Sequence, residues 1–173
     1  MGFFSNLLNF LNGNNQEDVP AQEANNMNRP TFSSQREDRI RNEVMMIAPR
    51  FSKNGGGIEF DEQNCDWLII NSYALPSRWK ERWCKLMIIF PQGYPNVPPI
   101  GFYLSSKFRL KKGTDSHFTG KAYYGAPDLQ SSGWYWYCCH LANGAWEPQV
   151  NYTKPDNLWT YLNMIRESLT NDF

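Results

Sequence analysis

The chain has 173 residues, 17 basic and 17 acidic, with 16% aromatic side chains. That length holds one domain of ordinary size plus a tail, and a formal net charge of zero gives no long-range attraction to nucleic acids or acidic membranes. No apolar run approaches the ~20 residues that a bilayer span requires, so neither a nucleic-acid nor a membrane partner is expected.

The opening stretch MGFFSNLLNFLNG lacks the basic start and small-residue cleavage site of a secretory signal. Asn6 stands where a myristoylation pattern wants Ser or Thr. A cytoplasmic protein is therefore expected, in which the four cysteines stay thiols rather than pair. Phe3, Phe4, Leu7, Leu8 and Leu11 recur at helical spacing and predict a short amphipathic helix over 3–11. The segment NGNNQEDVPAQEANNMNRPTF that follows is polar, Asn-rich and without periodicity, the composition of a flexible linker. Residues 1–33 thus read either as a docking helix on a tether or as a frayed tail.

The folded domain is expected over 34–173. Ser34 and Glu37 are spaced as a capping box, and Ile40, Val44 and Ile47 form one helical face ahead of Pro49. GIEFDEQ, WLIINSYAL, RWCKLMIIF and IGFYL then read as four successive strands bounded by turn residues. After a long stretch without clear periodicity, roughly 105–155, DNLWTYLNMIRESL predicts a closing helix. Its expected N-cap is Asp156 and its apolar face is Leu158, Tyr161, Leu162, Ile165 and Leu169. The order indicates an α+β domain: an N-terminal helix, a four-stranded antiparallel meander, a long loop and a C-terminal helix. Irregular stretches of that length in a compact domain are usually functional.

Two segments carry chemical information. FPQGYPNVPP follows the third strand, and Pro91, Pro95, Pro98 and Pro99 each fix φ and remove a donor. It reads as a rigid corner, with Tyr94 pinned against the sheet, although its composition also suits a ligand of a proline-reading domain. GWYWYCCHLANGAWEP, within the irregular stretch, places Cys138, Cys139 and His140 behind a run of aromatics. Adjacent cysteines with no C-x-x-C pair make a poor zinc site, and a vicinal disulfide is strained. Core packing of free thiols and a nucleophile with a helper both remain open. Cys65 and Cys84, within predicted strands, are expected as small core residues. In an extended stretch, Trp134, Trp136 and Cys138 share one side and Tyr135, Tyr137 and Cys139 the other. The basic groups Arg78, Lys80 and Arg82 in SRWKER, and Lys107, Arg109, Lys111 and Lys112 in KFRLKK, read as solvated loops or as a docking surface for an acidic partner.

Helix, meander and F-P-x-x-Y-P-x-x-P-P before a fourth strand resemble the ubiquitin-conjugating enzyme family, as does RIRNEV in the first helix. That family places its catalytic cysteine eight residues before a Trp-x-Pro element. Trp146-Glu147-Pro148 supplies the element here, and Cys138 lies eight residues before Trp146. The resemblance covers roughly 34–170. The family's His-Pro-Asn signature is missing; Gln130 stands at the spacing of its Asn, and His117 is a candidate displaced relic. The short C-terminus and the His after the cysteine are similar to the prokaryotic branch, one group of which works beside cyclic-nucleotide synthases in CBASS antiphage defence.

The resemblance implies a cysteine thioester with the C-terminus of a ubiquitin-like protein or of a CBASS nucleotidyltransferase, passed on to a lysine amine. Cys138 is the implied nucleophile, with Cys139 as fallback or resolving partner. His140 is a candidate base for the incoming lysine. His140, Asn143 and Gln130 are candidate donors to the oxyanion. Trp146 and Pro148 are expected as scaffold. No cofactor or metal is expected in this step; ATP would be used by a separate activating enzyme. The family also contains inactive members that serve as partner-binding modules, which is the alternative for this chain.

Overall fold

The structure is a computed structural model that describes residues 35–52, 56–106, 120–139 and 146–171. The predicted 3–11 helix, the linker, Ser34 and the KFRLKK group lie outside these residues. Helix α1 (Gln35–Ile47) is followed by a 3-10 turn containing Pro49 (Ala48–Arg50). Next come β1 (Ile58–Phe60), β2 (Trp67–Ala74), β3 (Trp83–Ile89), β4 (Gly101–Leu104), β5 (Tyr135–Cys138) and α2 (Leu158–Thr170). The strands form one antiparallel sheet in the order β1-β2-β3-β4-β5. The α+β class, the flanking helices and the meander agree with the sequence reading. The sheet has five strands rather than four, because β5 forms inside the stretch read as irregular. Among the described residues no helix is long and apolar enough to cross a membrane.

One sheet face packs under the helices. Leu68, Ile70, Leu86, Ile88, Phe102, Leu104 and Tyr137 meet Ile40, Val44 and Ile47 of α1 and Leu158, Tyr161, Leu162, Ile165 and Leu169 of α2. All five apolar positions expected on α2 are buried. On the other face, Ile69, Met87, Tyr103 and Trp136 stand in register across four strands and are also buried. A sheet buried on both faces loses polar alternation along its strands. Trp134 to Cys139 therefore gives no clean period-two signal, and β5 is concealed in the sequence.

Two smaller expectations are corrected. The N-cap of α2 is Asn157, whose side chain accepts from Thr160 N at 3.0 Å. Asp156, one residue earlier, turns away and accepts from Glu147 N at 3.0 Å. Cys65 is fully buried but sits in the β1–β2 connection at φ 55° rather than in a strand; Cys84 does lie in β3.

The element that joins these parts is polar. Glu43 on α1 is fully buried. Its carboxylate accepts from the Arg39 guanidinium, from the Tyr94 hydroxyl of the proline segment, and from Leu158 N at 2.7 Å, in the first turn of α2. Arg39 in turn donates to the carbonyls of Gln149, Val150 and Asp156. Removing one member of such a network strands the others without water. Glu43→Ala is expected to lower the unfolding free energy by about 3–5 kcal/mol, read as a fall in the urea midpoint at unchanged slope. A loss below about 1 kcal/mol, the worth of an exposed pair, would contradict this account.

Candidate active site

Strand β5 is launched by a glycine. Gly133 takes the left-handed φ of 82° that ends the 3-10 turn Gln130–Ser132, a conformation costly for any residue with a Cβ. From there the side chains alternate. Tyr137 faces the helices: its ring stacks on Phe102 at 4.9 Å between centroids, and its hydroxyl donates to the Ser168 carbonyl at 3.3 Å. Cys139 follows to the same side, with Sγ 3.6 Å from Ser168 Oγ on α2. Cys138, one residue earlier, falls with Trp136 on the opposite face. The two thiols therefore differ in access: Cys138 is half-buried, whereas Cys139 is 3% exposed.

Cys138 pairs with Gly101, the residue that follows Pro98-Pro99-Ile100. A Cβ on Gly101 would stand 2.6 Å from the Trp136 ring and from the Tyr137 carbonyl oxygen. Only glycine lets β5 approach this closely, so the chain leaving the proline segment enters β4 directly against the Cys138 backbone. The segment itself is held at several points. Arg36 donates to the carbonyls of Phe90 and Pro91 at 3.3 and 3.2 Å. Tyr94 is buried and bonds Glu43. The Trp146 indole N–H donates to the Pro95 carbonyl, and its ring leans on Tyr94 at 6.5 Å. The proline motif and the Trp-x-Pro element, far apart in sequence, thus meet, in keeping with the scaffold role expected for Trp146.

Burial raises every thiol above its usual range. Cys84 is pushed up to about 12 and Cys139 to about 11, the latter opposed in part by its bond to Ser168. Cys138 is also raised, by burial alone. The site as described presents one accessible, largely protonated thiol. Nucleophilic attack needs its proton removed.

The sequence offered four helpers. His140 and Asn143 fall in 140–145, and His117 in 107–119, all outside the described residues. Gln130 is described, and its side-chain amide donates to the Gly120 carbonyl at 2.8 Å. Gly120 bridges to Trp136, so Gln130 ties this segment to the back of β5. Sequence reasoning missed Gly101, Gln130's tie and the Tyr123–Tyr124 pair that packs on Trp136 at 5.9 and 6.5 Å. Only Gly101, a glycine opening an apolar strand, carried a signal of close backbone approach.

Fold and site together answer to a defined family, the prokaryotic E2 family E, which matches residues 55–172. The chain belongs to this family. The match begins after α1 and takes in the sheet, both cysteines, the Trp-x-Pro element and α2. Family membership points to a protein of the ubiquitin-conjugating kind, with the UBC-like arrangement of flanking helices and antiparallel sheet. Its general partners are ubiquitin-like proteins and activating enzymes. No curated protein matches the chain, and no solved structure does.

The raised thiols have a measurable consequence. Only the thiolate is alkylated, so a thiol kept neutral by burial reacts at higher pH than the same thiol in solvent. Mass-spectrometric iodoacetamide labelling should modify Cys138 before Cys139, Cys84 and Cys65. The Cys138 pH midpoint should lie above its value in the urea-unfolded chain. A folded-state midpoint below the unfolded one would overturn the burial account and reveal a cation acting on Cys138.

Proposed function

We propose that the chain is a bacterial ubiquitin-conjugating-like enzyme with Cys138 as its nucleophile. The observation that carries this reading is the access difference between adjacent thiols. Cys138 is the more open of the two, and it is also the one eight residues before Trp146. In the proposed reaction the Cys138 thiolate attacks the thioester carbonyl of a protein C-terminus carried by an activating enzyme. The tetrahedral intermediate collapses, the carrier's thiolate leaves, and the acyl group rests on Cys138. A lysine amine then attacks the new thioester, loses its proton, and releases the Cys138 thiolate. Thioester exchange is nearly isoenergetic, so positioning supplies most of what the protein must contribute.

Burial raises the Cys138 thiol, so the scheme requires its proton to be removed before attack. His140, two residues on, is the proposed base for the lysine ammonium. His140 or Asn143 is the proposed donor to the oxyanion, since the Gln130 amide already serves Gly120. The donor is proposed to be a ubiquitin-like protein or the C-terminus of a CBASS nucleotidyltransferase, in antiphage defence within the cytoplasm. The commitment of Gln130 to scaffolding, beside a thiol that nothing described activates, favours a second reading: an inactive module that binds the same partners.

The two readings part on a non-reducing gel. The chain is incubated with ATP and the activating enzyme and candidate donors encoded beside it. A thiol-sensitive shift is expected, absent in Cys138→Ala and retained in Cys139→Ala. His140→Ala should keep the adduct and slow its discharge to lysine by about 10²-fold. No shift with any donor, while partner binding persists, would establish the inert module.

A further inference from the structure

A second feature lies at the other end of the sheet. Ala74, at the end of β2, pairs with Trp83, at the start of β3, whereas Cys138 pairs with Gly101. Around the Ala74–Trp83 end, a half-open groove of about 500 Å³ runs between the 3-10 turn after α1, the β2–β3 connection and α2. That volume is within the range of ligand pockets. Its lining brings the apolar side chains Phe51, Trp83, Trp159 and Leu162 together with the cations Arg50 and Arg166.

Several details show that the groove is built rather than accidental. The Arg50 guanidinium lies over the Trp159 ring, 4.1 Å from its centroid. This holds the cation at the groove edge at low entropic cost. Trp159, Asn163, Arg166 and Thr170 recur at helical spacing, giving α2 a second stripe beside its core face. The β2–β3 connection is anchored by Trp79, which is fully buried and donates to the Leu169 carbonyl at 2.8 Å. Trp83 nevertheless stays 51% exposed. An exposed tryptophan beside arginines has the composition of an interface hot spot.

We propose that this groove docks an acidic peptide segment of a partner protein. An aliphatic or aromatic anchor would enter between Trp83 and Trp159, with flanking carboxylates on Arg50 and Arg166. Charge complementarity selects the occupant. Arg82 adjoins Trp83 in the chain and Lys80 is exposed on the same connection, which extends the cationic set. The carboxylates of Glu81 and Glu167 interrupt it; Glu167 shares the neighbouring recess with Arg166. Cations broken by acids suit the spaced carboxylates of a peptide and oppose the continuous charge of a nucleic-acid backbone. The assignment is independent of the thioester chemistry, because the groove shares no residue with β5.

The test is a random-dodecapeptide display selection against the full chain, followed by fluorescence anisotropy of labelled selected peptides. The expected result is enrichment of acidic peptides bearing one large apolar residue. Their affinity should fall with added salt and by about tenfold or more in Trp83→Ala and in Arg166→Glu. Both altered side chains are exposed, and unchanged Cys138 alkylation reports that the fold persists. Three results would overturn the proposal. One is the absence of acidic enrichment. Another is binding indifferent to both substitutions. The third is self-association on sedimentation that Trp83→Ala abolishes, which would assign the groove to a second copy of the chain. None of the three bears on thioester formation, which is read on a separate gel.

Discussion

The architecture turns on one buried carboxylate. Glu43 sits on the buried face of α1 beside Ile40, Val44 and Ile47, and it has no access to water. Burying such a charge is costly unless hydrogen bonds surround it. Its three donors come from different parts of the chain: Arg39 from the same helix, Tyr94 from the proline segment, and Leu158 N from the start of α2. Satisfying Glu43 therefore fixes three elements against one another at a point where no strand pairing connects them. The Leu158 amide is one of the orphan donors at a helix N-terminus, so the same contact completes the cap that Asn157 begins. Arg39 extends the linkage to the carbonyls of Gln149, Val150 and Asp156, which anchors the chain between the Trp-x-Pro element and α2.

From that joint the local geometry around the cysteines follows. The proline segment cannot shift without breaking the Tyr94 bond, and Trp146 cannot shift without releasing Pro95. The chain is thereby gripped on both sides of 140–145, by β5 before and by Trp146 after. Within β5 the strand period does the sorting. Two cysteines adjacent in sequence are placed on opposite faces of one sheet, one against Ser168 and one beside Trp136. A single-residue slip of register would exchange them. Gly101 guards against that slip, because the Trp136 ring occupies the space a side chain would need.

Much of this was legible from residues alone. The apolar faces of α1 and α2, the first four strands and the corner role of the proline segment followed from periodicity and proline chemistry. The choice of Cys138 over Cys139 came from the family resemblance, through the spacing from Trp146. What stayed hidden had a common cause: the signal lay in tertiary contacts. Strand β5 is buried on both faces, so its sequence shows aromatics without alternation. Glu43 reads as an ordinary helical glutamate, since nothing local marks the Tyr94 and Leu158 partners, 51 and 115 residues away. Asp156 and Asn157 are both good caps; the choice fell to Asn157 because Asp156 is drawn to Glu147.

The separation between groove and thiol constrains how the two could cooperate. Strand β3 spans most of the distance, and at about 3.3 Å per residue its seven residues set the two features roughly 20 Å apart. A segment seated on Trp83 and Trp159 cannot itself reach Cys138 with its bound residues. Under the proposed function, a segment docked there would act by tethering, raising the local concentration of a larger partner at the β5 side. Its effect would then appear in how readily a partner is engaged, while the proposed chemistry would depend on Cys138. The hydrogen-bonded, closely packed sheet between them serves as a rigid spacer. The two ends of the domain can therefore be occupied at the same time without competing.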